Sequence, residues 1–510
     1  MEITDLTPAE IRVREAFPRG ETLDFRTSVD VDEGQGQGQG QGRGQDDDPA
    51  LGGSWGPERT VRAEVIRALL LDGARADGEI AALRLVGARV TGVLNLQYGT
   101  VDCAVSLWGC HFDSAPRLYG TQVRQLNLSK SVLPALDAGS IRVDGVLRIT
   151  DCRIRGAVRL GGARISGAFF CDRAQLGDPT PPREDGEGPR DAVLHLNHSV
   201  IGDDVLGQHL TAHGEVRLDG ASVEGMVTLD DAVLDNPGGN ALEAQRLTVG
   251  SDLHAMRVRA RGRINLRGAR VPGQLNLAYA RISHPGGMAL RATSLVAGEL
   301  WLREAAPVEG TVTLRRSQLD MLHIAPETWP DRIRLDGLTY TTLAPHEPAE
   351  RRLAALERDT DGYVPHAYEQ LTAAYRRIGD DAGARTVQLA KQRRHRTTLP
   401  WYARAWGHLQ DLTVGYGFRP ARAVGWLLSL LLIGTLAYEL RNPRPLEDEV
   451  PEFNALFYTL DLLLPIVDFG QERAYTAHGP YQFLSYVLIV TGWVLATTIA
   501  AGITRTISRQ

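Results

Sequence analysis

The chain contains 510 residues, a length that corresponds to about two to four domains of ordinary size. Its 56 Lys and Arg residues nearly balance 62 Asp and Glu residues, and the net charge of −6 excludes a strongly basic nucleic-acid-binding protein. Glycine is frequent, at 54 residues, whereas only 6% of residues are aromatic, so the core must consist of small and branched aliphatic side chains. The four cysteines lack CxxC spacing, which excludes a disulfide framework and a four-cysteine zinc site.

The N-terminal 32 residues predict a short helical segment. Thr7 is a suitable N-cap, Pro8 occupies the first helical position, and Glu10 supplies an early acidic group. A helix is therefore expected to run to about Phe17. Charges occur throughout this segment, and it lacks the apolar run of about 7–15 residues that a signal peptide needs. We therefore expect the N-terminus to stay in the cytoplasm.

Residues 33–53 are rich in Gly, Gln and Asp and predict a flexible linker. The glycines of the Gly-Gln tract occupy only even positions. A GxGxxG phosphate-binding loop needs two glycines that are three positions apart, so the tract cannot contain this motif. Residues 54–82 follow with apolar residues at helical spacing and predict a helical cap for the next region.

Residues 83–345 repeat an 11-residue unit that is apolar at its first, third, sixth and eighth positions. Clear copies begin at Leu83, Val105, Leu147, Val158, Phe169, Val216, Ile264 and Val312. Each unit holds two short segments in which apolar and polar residues alternate, and a corner joins the two segments. Each segment is too short for an ordinary strand, but such short segments are typical of a β-solenoid. Because two units supply four faces, we expect a mainly β fold of about 11 coils with 22 residues each.

Three insertions interrupt the repeat, at residues 177–191, 235–240 and 283–287. They follow the ninth, thirteenth and seventeenth units and are therefore always four units apart. With two units per coil, we expect all three on one edge of the solenoid, in every second coil.

From residue 346 the apolar period becomes helical. Tyr368 and Tyr375 mark one helical face, Gly379 interrupts the pattern, and a second helix runs into a basic stretch at 391–396. Residues 346–422 therefore predict a helical hairpin followed by a juxtamembrane region.

Residues 423–510 predict a membrane module with two transmembrane helices. The stretch 423–440 contains one charge and the stretch 481–503 contains none, and both are long enough to cross about 30 Å of hydrocarbon. Arginines precede the first stretch and follow the second, whereas the connector between them is acidic. By the positive-inside rule, we expect the solenoid and both termini on the cytoplasmic side of the cell membrane.

The connector between the two stretches contains an apolar segment, residues 453–470. The segment is too short to span, so it predicts either a re-entrant segment or an amphipathic helix lying on the bilayer. A re-entrant segment between two spans is typical of pore-loop channels, and the end of this one distantly resembles their Thr-Val-Gly-Tyr-Gly filter. Pro465 and Asp468 depart from that filter because they replace its threonine and its first glycine. The candidate pore-loop or interfacial residues are Pro465, Val467, Asp468, Phe469 and Gly470.

Few groups in the chain suit redox chemistry. A nicotinamide- or flavin-binding unit needs a glycine-rich turn between a strand and the helix that follows it in a βαβ unit. The sequence has no such turn, so no cofactor-binding residues are predicted. Cys110, Cys152 and Cys171 fall on inward positions of the repeat and predict core residues. Cys103 lies at a corner and is the candidate exposed thiol.

The closest pair of histidines, His195 and His198, has an i, i+3 spacing beside an insertion. With Asp203 and Asp204 nearby, the pair would suit a metal site, but polar corners of the surface are the favoured interpretation. No metal ligand is therefore assigned.

Short motifs from the solenoid to the C-terminus carry a family resemblance. They include Asn236-Pro237-Gly238-Gly239, Tyr368-Glu369-Gln370-Leu371 and Ala500-Ala501-Gly502-Ile503-Thr504-Arg505. With these motifs, the chain resembles a family of high-GC bacterial membrane proteins labelled membrane-associated oxidoreductases. The resemblance implies a membrane location and redox activity, and it transfers no catalytic residue or cofactor. The solenoid also resembles pentapeptide-repeat proteins, although its faces alternate between five and six residues.

Three functions are consistent with the sequence. The leading hypothesis is a membrane-tethered scaffold or sensor, whose partners are the lipid bilayer and a cytoplasmic protein on the solenoid faces. The second is a membrane-associated oxidoreductase, which rests on the resemblance alone. The third is a pore-loop-like channel, which requires a homo-oligomer because each chain has only two predicted spans. Nucleic acid is not an expected partner.

Overall fold

The computed structural model describes residues 5–26, 45–73, 78–180, 189–402, 404, 420–446, 452–464 and 467–507. The chain divides into two compact units, Met1–Gln370 and Leu371–Gln510. The first unit contains the repeat region, and the second contains the apolar C-terminal helices.

The repeat region is a parallel β-solenoid, as the 11-residue repeat predicts, and it has about 12 turns where about 11 were expected. In the central coils, equivalent positions are 22 residues apart, so that Val143 lies beside Ile165 and Ile154 lies beside Leu176. The prediction of a 22-residue coil with four faces is thereby confirmed.

The four faces are numbered in chain order, and one coil illustrates them all. Arg142–Val143 lies in face 1, Leu147–Arg148 in face 2, Arg153–Ile154 in face 3 and Val158–Arg159 in face 4. Faces 1 and 2 belong to a sheet of 18 described strands, and faces 3 and 4 belong to a sheet of 16 described strands. The strands of the first sheet are Thr22–Asp24, Ala82–Val86, Thr100–Trp108, Gln122–Asn127, Arg142–Val143, Leu147–Arg148, Arg164–Ile165, Phe169–Phe170, Val200–Ile201, Val205–Leu206, Ser222–Val223, Val227–Thr228, Thr248–Val249, Leu253–His254, Arg270–Asn276, Val296–Leu302, Gln318–Ile324 and Thr339–Ala344. The strands of the second sheet are Thr60–Arg62, Arg89–Thr91, His111–Phe112, Val132–Leu133, Leu136–Asp137, Arg153–Ile154, Val158–Arg159, Gln175–Leu176, Ala192–His195, Thr211–Ala212, Glu215–Arg217, Val233–Glu243, Arg259–Asn265, Arg281–Arg291, Glu309–Thr313 and Arg332–Arg334.

The solenoid core consists of stacked aliphatic ladders, one for each face. In the reference coil, Val143, Leu147, Ile154 and Val158 are each at most 1% exposed. Because side chains alternate along a strand, each two-residue strand places one apolar group inside and one group outside. Each fully buried aliphatic side chain contributes about 1.5–3 kcal/mol to folding, so the long ladders stabilise the stack.

Two of the four edges turn through a residue with a left-handed backbone. Between faces 2 and 3 this position has a φ of 56° at Asp151 and 53° at Arg173, and the next coils repeat it. Between faces 4 and 1 the same conformation occurs at Gly120, Gly162 and Gly220. Glycine adopts this conformation without steric cost, which explains part of the high glycine content.

The three insertions lie on the edge between faces 3 and 4, as predicted. Strand Val233–Glu243 contains the second insertion and Arg281–Arg291 contains the third, and each bulges at that edge. The coil between them, with strand Arg259–Asn265, passes the same edge without an insertion. The described part of the first insertion lies between Leu176 and Ala192, at the same corner.

Strands from outside the repeat extend the N-terminal end of the solenoid. Thr22–Asp24 and Thr60–Arg62 each add in parallel to a strand of the first coil, which lengthens the stack beyond the predicted 11 coils. Helix α1 (Pro8–Ala16), capped by Thr7 as predicted, and helix α2 (Ala63–Asp72) cover this end. Short 3-10 helices span Phe17–Arg19, Gln45–Asp47, Pro49–Ser54 and Pro326–Thr328.

The opposite end of the solenoid is closed by helix α3 (Ala349–Leu356) and the turn that follows it. Arg352 of α3 donates to the carbonyl oxygen of Ile324 at 3.2 Å. The buried carboxylate of Asp359 accepts the backbone N–H of Leu335 at 3.0 Å. These contacts pair backbone groups that the last coil would otherwise leave open.

A helical hairpin follows the solenoid, as predicted. Helix α4 (Pro365–Arg377) is followed by Gly379, whose φ is 79°, and by helix α5 (Asp381–Thr397). The buried Gln388 of α5 donates to the hydroxyl of Thr372 in α4 at 3.2 Å, which ties the two helices together.

From residue 420 onwards, the described residues of the second unit include four helices and one small antiparallel strand pair. The helices are α6 (Pro420–Leu440), α7 (Ala455–Leu463), α8 (Gln471–Ala474) and α9 (Pro480–Ile507). The strands are Arg444–Pro445 and Tyr475–Thr476.

Candidate functional site

The cysteines of the solenoid do not provide a reactive thiol. Cys110, Cys152 and Cys171 are fully buried, as their repeat positions predict. Burial raises the pKa of Cys110 and of Cys152 to about 12, and it raises the pKa of Cys171 as well. These three residues therefore stay protonated at neutral pH, where a thiol has little nucleophilic character.

The prediction that Cys103 is exposed is wrong, because Cys103 is only 6% exposed. It lies within the nine-residue strand Thr100–Trp108, which runs from face 1 to face 2. Burial alternates along this strand, and Val101, Cys103 and Val105 all point inward. The chain thus crosses the predicted corner as continuous strand, and the side chain that we expected outside packs inside.

The histidines near the first insertion are kept apart by the solenoid. His195 lies in face 4, where its Nε2 atom is 3.0 Å from the carbonyl oxygen of Ala192. His198 and His209 each occupy a left-handed corner, but on two different edges. Within the described residues, no three His, Cys, Asp or Glu side chains converge in a way that could hold a metal ion.

A polar network joins the first two insertions on the edge between faces 3 and 4. Asn236 is 1% exposed; its Oδ1 atom accepts the backbone N–H of Arg190 at 2.6 Å, and its Nδ2 atom donates to the carbonyl of Asn240 at 2.6 Å. The carboxylate of Asp235 lies 3.2 Å from Arg261 and 3.9 Å from Arg190. The insertions therefore form an ordered edge where they are described. Sequence reasoning located this edge but not the network.

In the second unit, α7 packs between α6 and α9 at two glycines. A Cβ atom on Gly434 of α6 would overlap the methyl group of Thr459, and a Cβ atom on Gly492 of α9 would overlap the carbonyl of Leu463. Gly434 lies six residues, or about 9 Å, before the end of α6. Gly492 lies twelve residues, or about 18 Å, after the start of α9. The helix α7 therefore enters between the other two instead of crossing their ends.

Aromatic and hydroxyl groups reinforce this contact. The side chain of Tyr438 in α6 is fully buried, and its hydroxyl lies 2.8 Å from the hydroxyl of Ser485 in α9. Its ring packs edge-to-face against Tyr458 of α7, with 4.9 Å between the centroids. One residue of α6 therefore contacts both other helices, which stabilises a single arrangement of the three.

The described candidate pore-loop residues, Val467 to Gly470, form the turn that begins α8. Asp461 of α7 is 6% exposed, and its carboxylate accepts the backbone N–H groups of Phe469 at 2.5 Å and Gln471 at 2.8 Å. Asp468 accepts the N–H of Gly470, and Gly470 has a left-handed φ of 82°. Val467 and Phe469 are partly exposed apolar residues of the same turn, whereas Pro465 lies outside the described residues. Sequence reasoning missed Asp461, although a lone carboxylate within an apolar run was a usable signal.

Large apolar side chains cover the outside of α6 and α9. Among the described side chains, the exposed large apolar residues of α6 are Val424, Trp426, Leu428, Leu432, Ile433, Leu436 and Leu440, and those of α9 are Phe483, Tyr486, Val487, Val490 and Trp493. Among the described helices, the segment Pro480–Thr497 of α9 is long and apolar enough to cross a membrane, and the apolar part of α6, Val424–Leu440, is shorter.

No protein-family model, no curated protein and no solved structure matches this chain. Its class therefore rests on the fold itself: a four-faced parallel β-solenoid linked to a helical unit with an apolar exterior. The oxidoreductase activity implied by the family resemblance stays a prediction.

Proposed function

We propose that this chain is a membrane-anchored scaffold protein, whose β-solenoid offers a rigid surface to a protein partner in the cytoplasm. The observation that carries the proposal is the row of exposed large apolar side chains on α6 and α9. In water, such a surface would aggregate or bind a partner, whereas in hydrocarbon it is the expected exterior of a membrane helix.

The packing of α7 supports the same proposal. The C-terminal residue of α7, Leu463, lies against Gly492, about 18 Å along α9 from its start, as the inner end of a re-entrant helix would. The excess of arginine before α6 and of acidic residues between α6 and α9 supports a cytoplasmic solenoid.

Alkaline carbonate extraction of cell membranes tests the anchor. We expect the full chain to remain with the membrane pellet, because apolar helices in hydrocarbon are not released by loss of charge interactions. Release of the chain into the carbonate supernatant would contradict the membrane anchor.

Photo-crosslinking in intact cells tests the scaffold. A photoreactive residue is placed at one outward position of each face: Arg164 in face 1, Phe170 in face 2, Arg153 in face 3 and Arg159 in face 4. We expect a discrete adduct from one face, with the other three faces as matched controls. The absence of an adduct from all four faces would contradict a scaffold role of the described solenoid surface.

A channel is the second candidate, and the insertion of α7 at Gly434 and Gly492 favours it because pore-loop channels have a helix at this depth. Two predicted spans per chain enclose a pore only in an oligomer. We expect ion flux through reconstituted oligomers if this candidate is correct, and verified oligomers without flux would eliminate it.

The oxidoreductase alternative is tested by the absorbance of the purified protein at roughly 350–550 nm and by metal analysis. A protein without absorbance in this range and without bound metal would argue against a redox cofactor.

A further inference from the structure

We propose that residues 391–404, here called the basic segment, bind the anionic lipid surface of the membrane. The inference rests on the proposed membrane anchor and adds a second contact, between cationic side chains and lipid headgroups. The lipid ligand is an anionic headgroup within a bilayer, such as phosphatidylglycerol.

Along the sequence, the charges in and next to the basic segment have a single sign. No acidic residue occurs between Asp381 and Asp411. Within the basic segment, the cations are Lys391, Arg393, Arg394, Arg396 and Arg404. Each cation held near an anionic bilayer multiplies surface partitioning by roughly fivefold, so such a set favours binding strongly.

The geometry of the segment suits a bilayer surface. Arg394 and Arg396 lie in the last turn of α5, where the helix dipole favours positive charge. Trp401 and Tyr402 follow directly, are 77% and 64% exposed, and pack edge-to-face with 6.1 Å between their ring centroids. Exposed Trp and Tyr rings beside cations are the side chains enriched at the headgroup level of membranes.

The covalent continuity with α6 brings lipid within reach. Fifteen residues separate Arg404 from Pro420, the first residue of α6. Fully extended, such a connection reaches at most about 55 Å, so a chain anchored through α6 keeps the basic segment near the headgroups. A second copy of the chain is a poorer occupant for this surface, because its own basic segment would repel it.

The buried cysteines permit a selective label. All four native cysteines are buried, whereas Thr398 is exposed within the basic segment. The variant Thr398→Cys is labelled with an environment-sensitive fluorophore, and the full chain is placed in nanodiscs of phosphatidylcholine, with or without about 30% phosphatidylglycerol. We expect emission at shorter wavelength in the anionic discs only, and a return to the aqueous spectrum at about 0.5 M NaCl because of screening.

Charge variants complete the test. R393Q/R394Q/R396Q, made in the labelled chain, is expected to lower the bound-to-free ratio of the segment by roughly 100-fold. The control R376Q/R377Q/R385Q removes three exposed arginines near the turn of the same hairpin and should keep the shift. Equal emission in neutral and anionic discs, or an equal loss in both variants, would overturn the inference. Failure of the chain to enter nanodiscs would contradict the membrane anchor instead, so the two failures are distinguishable.

Discussion

At the scale of single residues, the buried acidic groups are the points where the structure adds most to the sequence. Glu10 and Asp461 are both almost fully buried, and each is held by hydrogen bonds from residues or backbone groups that are distant in the chain. A buried carboxylate without such partners would be strongly unfavourable. Their local sequence identifies Glu10 as part of a helix start, but it does not identify either network.

The environment of Glu10 predicts that the stability of the chain depends on pH. Burial raises the pKa of Glu10, but hydrogen bonds from Arg62 and Thr7 outweigh burial and lower the pKa from 4.5 to about 2. Because the pKa is lower in the folded state, the stabilisation is present above pH 4.5 and is lost as the pH falls towards 2. We expect the wild-type chain to lose up to about 3 kcal/mol of unfolding free energy over this range.

Denaturant unfolding at a series of pH values measures this effect. Glu10→Gln should be less stable at pH 6 and should lack the acid-dependent loss attributed to this group. The control Glu21→Gln removes an exposed carboxylate paired with Arg19 and should resemble the wild type. Identical pH profiles for Glu10→Gln and the wild type would refute the role of Glu10.

The hydrogen bonds of Asp461 predict that backbone amides in the turn before α8 are protected from hydrogen exchange. In Asp461→Ala, the N–H groups of Phe469 and Gln471 lose their acceptor, at a cost of about 2–3 kcal/mol. Hydrogen exchange of these two amides should therefore accelerate by roughly 30–150-fold. The matched variant Asp468→Asn should mainly affect the amide of Gly470, and unchanged exchange in Asp461→Ala would contradict the predicted role.

At the scale of elements, the repeat pattern predicted the faces and the insertion edge correctly, whereas it misplaced Cys103. The repeat is reliable because each unit packs against a copy of the same pattern one coil away. The corner between faces 1 and 2 is less reliable, because none of residues 100–108 has the left-handed backbone that marks the turns on two other edges. The strand Thr100–Trp108 is the example, since it passes through the predicted corner.

The packing of α7 predicts different effects for two glycines of the same helix. Gly434→Leu should destabilise the second unit by about 1–3 kcal/mol, because its side chain must displace Thr459. Gly425→Leu is the matched control, because no atom of the described residues beyond its own stretch of helix lies within 4 Å of the position of its Cβ. Thermal unfolding of both full-chain variants in detergent measures the difference, and equal melting temperatures would show that α7 does not pack at Gly434.

At the scale of the whole molecule, the solenoid and the helices α6 and α9 have opposite surface character. The solenoid places its apolar side chains inside, whereas α6 and α9 expose theirs. The average composition of the chain conceals this difference, since the polar first unit dominates it.

This contrast predicts different solubilities for two versions of the chain. A chain ending at residue 377, after α4, should fold as a β-rich protein that needs no detergent, because it retains the complete first unit. The full chain should require detergent, because removing its exposed apolar side chains from water is favourable by about 25 cal/mol for each Å². Sedimentation with and without detergent measures both, and a monodisperse full chain in plain buffer would contradict the prediction.

The sequence by itself determined the period of the coil, the inward apolar positions of the 11-residue unit, the edge that carries the insertions and the apolar character of the C-terminal helices. Those features depend on the alternation of apolar and polar residues and on local composition, both of which can be read directly from the sequence. Only the tertiary structure decided that Thr22–Asp24 and Thr60–Arg62 extend the stack, that Cys103 is buried, and that α7 packs at Gly434 and Gly492. The physical reason is that each of these outcomes depends on which distant residues meet, and close packing decides that only when the whole chain is folded.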